Sequence, residues 1–160
     1  MNPSIQKSRR LIGVVSLEDV RLVEQSARTK VNRLELTERM RPRFTTTSKP
    51  DGGLRDDSRF VVLASIDLAV ADDSQPPVVT MKVKYALVYS VPSDFKATKA
   101  EIRSFADVNG IFNAWPYFRE FVQSTSSRMD LPPIILPVYR VPQMSKPKPQ
   151  EDSSSSKASS

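Results

Sequence analysis

The chain has 160 residues, enough for one domain that buries about two-thirds of its unfolded surface, with ordinary hydrophobic (39%) and charged (26%) content. It contains neither histidine nor cysteine. That excludes the usual neutral-pH general base, a Ser–His–Asp triad, a thiolate nucleophile and the common zinc, copper and iron ligands. The net charge of +6 is uneven. Residues 1–43 carry most of it, through Arg9, Arg10, Arg21, Arg28, Lys30, Arg33, Arg39, Arg41 and Arg43, while 44–144 balance. Such a stripe either attracts phosphate or an acidic partner, or is simply a solvated face that uses arginine.

Residues 1–14 read as a basic N-terminal extension. The apolar stretch from Leu11 to Val15 is too short for a signal peptide or a membrane span, so no membrane insertion and a cytoplasmic location are expected. Residues 16–29 are ambiguous. Leu17, Val20, Val23 and Ala27 have helical spacing, and Ser16-x-x-Asp19 resembles a capping box, whereas the alternation at Val20 and Leu22 is brief. A strand is expected over 31–44, where Leu34, Leu36 and Met40 alternate with polar residues, and Pro42 ends it or confines it to a sheet edge. A polar loop follows over 45–58.

Period-two patterning is clear over 59–71, with Phe60, Val62, Ala64, Ile66, Leu68 and Val70 on one face. It recurs over 78–91, with Val79, Met81, Val83, Tyr85, Leu87 and Tyr89. The polar turn at 72–77 makes the pair an antiparallel hairpin. The acidic pairs Asp56–Asp57 and Asp72–Asp73 sit among turn-forming residues and read as solvated turns, and Gly52–Gly53 lacks a phosphate-loop context. No enzyme activity and no cofactor are expected.

A helix is expected from Thr98, where Thr98-x-x-Glu101 forms a capping box, to Asn109–Gly110. A second is expected from Asn113, with Pro116 in its first turn and a stripe of Phe118, Phe121, Val122, Thr125 and Met129. Leu131-Pro132-Pro133 stops it. Residues 145–160 are Ser, Lys and Pro without large apolar groups, and should form a disordered tail.

The stretch from Phe112 to Pro137 carries a further signal. Phe112, Pro116, Tyr117, Arg119 and Glu120, followed by Leu131, Pro132, Ile134, Leu136 and Pro137, resemble the aromatic, PY-x-RE and proline-bounded apolar segments of the bacterial export chaperone SecB. The resemblance implies an α+β fold, a four-stranded antiparallel sheet packed with a C-terminal long helix, over 15–144. It makes 16–29 a strand. It also implies an ATP-independent holdase, a homotetramer, which binds an unfolded client polypeptide such as a preprotein or an antitoxin along apolar grooves. Carried onto this chain, the client contacts are Leu34, Leu36, Ile111, Phe112 and Trp115. The basic charge and the tail in place of a C-terminal helix differ from the acidic SecB proteins that dock SecA. They bring the chain nearer to the SecB-like chaperones of toxin–antitoxin systems. A basic nucleic-acid-binding protein and a structural adaptor of the same fold stand as alternatives.

Overall fold

The computed structural model describes residues 3–30, 41–71 and 76–139. Its elements are α1 (Pro3–Ile12), β1 (Ser16–Thr29), β2 (Arg41–Pro50), β3 (Arg59–Ala71), β4 (Val79–Ser90) and α2 (Lys99–Arg128). The strands form one sheet in the order β1-β4-β3-β2, with every neighbouring pair antiparallel. The expected α+β architecture is present, and 16–29 is a strand.

The β3–β4 hairpin is the centre of the sheet because its alternation leaves no choice of register. Phe60, Val62, Ala64 and Ile66 on β3 and Met81, Leu87 and Tyr89 on β4 are each fully buried on one face. A one-residue slip would turn that whole set to solvent. Helix α2 covers this face chiefly over β2 and β3, inserting Ile102, Phe105, Ala106, Ile111, Ala114, Trp115, Phe118 and Val122. The contacts are strongly aromatic. Phe105 meets Phe60 and Tyr89 edge-on at centroid distances of 5.7 and 4.9 Å, and Phe44 meets Trp115 edge-on at 5.5 Å. Such pairs add about 0.5–1.5 kcal/mol each beyond buried area.

The strand expected over 31–44 overlaps the observed β2 only at 41–44; residues 31–40, with Leu34, Leu36 and Met40, lie outside the described residues. β2 continues through Thr45, Thr46, Thr47 and Ser48, so the expected loop shortens to 51–58. Threonine suits a pleated surface, but an alternation of Phe44, Thr46 and Ser48 with Arg43, Thr45 and Thr47 hides from an apolar-period reading. Pro42 is inside β2, and β2 is an edge strand, where proline is tolerated.

The two expected helices are one. Asn109–Gly110 does not end α2, because Gly110 is where helix and sheet touch. A Cβ there would overlap Ser48 Oγ and approach Val62 at 3.1 Å. Asn113 is not a cap; its amide donates to the Tyr89 hydroxyl at 2.8 Å. Pro116 lies inside the helix on its exposed side, where losing one helical hydrogen bond costs least. The expected capping box is present: the Glu101 amide donates to Thr98 Oγ1 at 3.2 Å, and the Thr98 amide to Glu101 Oε2 at 2.8 Å.

The basic extension contains helix α1, which packs on α2 and buries Leu11 completely. Arg10 fastens it. Its guanidinium donates to Glu101 at 2.9 Å and to the Lys96 carbonyl at 3.1 Å, and lies 4.8 Å from the Phe95 ring centre.

Candidate functional site

The sheet is wider than the helix that covers it. Since α2 lies over β2 and β3, the inner face of β1 has little above it, and nearly every residue of that strand is exposed or half-exposed. Register places Leu17 opposite Tyr89, Val20 opposite Leu87, Leu22 opposite Tyr85 and Ala27 opposite Met81. These side chains therefore share the core side of the sheet, yet Leu17 is 40% and Leu22 50% exposed.

The result is a groove with β1 as floor and the flank of α2 as wall. One part, of about 570 Å³, runs between Val20, Leu22 and Ala27 of β1 and Tyr117, Phe121 and Thr125 of the helix, with Tyr85 beneath. A second, of about 460 Å³, joins Leu17 to Phe112, Pro116, Tyr117 and the exposed edge of Trp115, and is closed by Val138 and Tyr139. Tyr117, 45% exposed, lines both parts.

The second part depends on the segment after α2. The helix stops at Arg128; Asp130 takes a left-handed conformation (φ 52°), and the Leu131 amide returns to the Ser126 carbonyl at 2.9 Å. The chain then runs back along α2, burying Leu131 and Leu136 while Ile135 and Val138 stay 86% and 72% exposed. The Trp115 indole N–H donates to the Pro137 carbonyl at 2.9 Å, and the Tyr139 ring lies 5.2 Å from Trp115.

Among the sequence candidates, Phe112 is on this groove and 48% exposed. Trp115 is buried to 5% exposure and offers only an edge, and Ile111, also at 5%, belongs to the core. Leu34 and Leu36 lie outside the described residues. Sequence reasoning missed Leu17, Leu22, Tyr117 and Val138. The signal for β1 was its brief alternation at Val20 and Leu22, which only the neighbouring strand makes legible.

The part of the groove at Leu17 and Phe112 is mainly apolar, whereas the part at Leu22 also presents Gln25, Ser26, Glu120, Ser124 and Arg128. Burial, with the nearby Glu120 carboxylate, pushes the Tyr85 hydroxyl up to about 12, so it stays neutral. Among the described residues no group of three or more His, Cys, Asp or Glu is placed to hold a metal ion. No described helix is long and apolar enough to cross a membrane. The groove presents rings and aliphatic groups beside β1, which among the described residues pairs only with β4.

No family model matches the sequence, and no curated protein does. Solved structures do. The SecB-like chaperone Rv1957 of Mycobacterium tuberculosis, solved in complex with a ChAD peptide from the HigA1 antitoxin, superposes with a TM-score of 0.75. The match covers 86% of this chain and 99% of that one at 23% identity. The chain has the SecB-like fold. A protein of unknown function from Streptococcus agalactiae overlaps more loosely, with a TM-score of 0.46 and 10% identity over 77% of this chain and 96% of that one. In the SecB-like frame, the PY-x-RE residues fall within α2 and the Leu131–Pro137 run is the returning segment. The resemblance drawn from those residues and the fold thus agree.

Proposed function

We propose that this chain is a molecular chaperone of the holdase type, acting without ATP on unfolded or aggregation-prone polypeptides. The observation that carries the reading is the uncovered apolar groove along β1. A holdase must accept many sequences, so its affinity comes from buried area rather than from placed polar groups. Each aromatic side chain of a client that settles in the groove removes about 150–250 Å² from water. At about 25 cal/mol per Å² this favours retention, and several such contacts along one chain reinforce each other through effective concentration.

Phe112, Tyr117, Leu17 and Leu22 provide the contact surface in this account. Trp115 and Ile111 hold the helix wall in place, with the edge of Trp115 reaching the client. Leu34 and Leu36 remain further candidates. The client class is an antitoxin-like or preprotein segment, supported by the fold shared with a chaperone solved with an antitoxin peptide. A homotetramer working in the cytoplasm, with 15–144 as the chaperone domain and 145–160 as a tail, belongs to the same proposal. Docking to SecA does not, since the chain is basic.

The test is a photo-crosslinking amino acid placed at position 22, 112 or 69 in turn. Ala69 is on the opposite sheet face, paired with Arg43 and Thr80. An unfolded client should crosslink from 22 and 112 and not from 69. Equal crosslinking from 69 would remove the groove assignment.

A further inference from the structure

The two parts of the groove are separated by a distance that strand and helix set independently. On the strand side, Leu17 is opposite Tyr89 and Leu22 opposite Tyr85. A register shift between Leu17 and Asp19 absorbs one residue, so Leu17 and Leu22 share a face and span only four steps of β4. At about 3.4 Å per residue that is about 14 Å. On the helix side, Phe112 lines the part with Leu17, and Phe121 the part with Leu22. From Phe112 to Phe121, at about 1.5 Å per residue, is again about 14 Å. What lies between and beyond these positions differs. Val20, opposite Leu87 and midway between the leucines, is half-buried. Tyr117 lines both parts there, its ring 6.1 Å from that of Tyr85. Past Leu22 the next inward residue is Gln25, opposite Val83, in a stretch shared with Ser124. Along the groove β1 thus offers an exposed leucine, a half-buried valine, an exposed leucine and a glutamine.

An extended polypeptide shows one face every second residue, about 7 Å apart, as β1 does. Resting on the holdase reading above, we propose that the groove selects extended client segments with large apolar side chains at positions i and i+4 and a small residue at i+2. Side chain i settles against Leu17 and Phe112, and side chain i+4 against Leu22, Tyr117 and Phe121. A large group at i+2 meets Val20 and Tyr117, where the surface is already filled. A large apolar group at i+6 reaches Gln25 and Ser124 and covers polar groups without bonding them, which costs free energy. The spacing also separates an extended client from a helical one, since on a helix i and i+4 are only about 6 Å apart along the axis.

The probes are fluorescent peptides of about 11 residues in a Ser/Gln host, long enough when extended to span both positions. Three carry two phenylalanines at i and i+2, i and i+4, or i and i+6. A fourth keeps the i,i+4 pair and places proline at i+2, which opposes a helix. Anisotropy should show both i,i+4 peptides binding about tenfold more tightly than the other two, because only they seat both rings. Leu17→Ser, at an exposed position, should lower the i,i+4 affinity to that of the i,i+2 peptide in a protein that remains folded. Suppression of unfolded-client aggregation is measured on the same samples. Equal binding of all spacings, loss of binding with the proline, or an unaltered preference in Leu17→Ser would overturn the spacing rule. So would the absence of peptide binding by a protein that still suppresses aggregation. No peptide binding and no suppression would overturn the holdase reading with it.

Discussion

The Trp115 indole N–H and the Pro137 carbonyl, 2.9 Å apart, fasten the segment after α2 back onto the helix that precedes it. Together with buried Leu131 and Leu136 and the Tyr139 ring against Trp115, this tie sets one wall of the groove, where Val138 and Tyr139 follow directly.

Replacing Trp115 by Phe keeps most of the ring volume and removes the donor. It should cost about 1 kcal/mol, since the exposed Pro137 can turn to water, and it should speed proteolysis within 131–139. Trp115→Ala empties a buried site and should cost about 3–5 kcal/mol in urea unfolding. Equal losses in the two variants would show that the hydrogen bond matters more than packing.

The close approach of α2 to β2 rests on Gly110 and Ser48, whose hydroxyl donates to the Ala106 carbonyl at 2.8 Å. Gly→Ala in an open helix gains about 1 kcal/mol. Here Gly110→Ala should instead destabilise by about 1–3 kcal/mol, because the added methyl forces the elements apart. The double variant S48G/G110A should recover part of that loss in denaturant midpoint.

Glu101 makes acid pH a probe of the α1 latch. The Thr98 backbone N–H holds its carboxyl below the ordinary 4.5, assisted by Arg10 and opposed by partial burial. A depressed value contributes stability that is present above 4.5 and is lost as pH falls through the folded-state value. The melting temperature should therefore drop more steeply from about pH 5 to about pH 3 in the wild type than in Glu101→Gln.

At the alkaline end the sign reverses. Burial pushes the hydroxyls of Tyr85 and Tyr89 up to about 12 from the ordinary 10.0. Their contribution is whole below pH 10 and disappears as pH rises through about 12. Ultraviolet titration should show Tyr85 and Tyr89 ionising only as pH rises towards about 12, together with loss of near-ultraviolet circular dichroism.

Much of this was legible in the sequence where one period dominates. The β3–β4 hairpin follows from strict alternation, and the start of α2 from Thr98 and Glu101. Gly110 and Pro116 misled because both are punctuation in local terms. In the fold, one is a contact point with Ser48 and the other sits on the exposed side of the helix. The continuation of β2 past Phe44 is hidden because its inward residues there, Thr46 and Ser48, are polar. Helix α1 gave only a basic stretch, since its hold on α2 comes from Leu11 and from Arg10 reaching Glu101, residues far apart in sequence. Phe112 could be picked out from its neighbours Pro116 and Tyr117. Leu17 and Leu22 could not, because their exposure depends on how far α2 extends across the sheet.

The proposed function requires that the groove along β1 hold unfolded chain. The most direct measurement is light scattering from a dilute, chemically unfolded client added to the wild-type protein or to the variant L22S/F112S, without ATP. Leu22 and Phe112 are about half exposed, so the variant should fold with an unchanged melting temperature. The wild type should suppress aggregation near stoichiometric ratios, and the variant should need about tenfold more protein for the same effect. Suppression by the folded variant equal to that of the wild type, or none by the wild type, would contradict it.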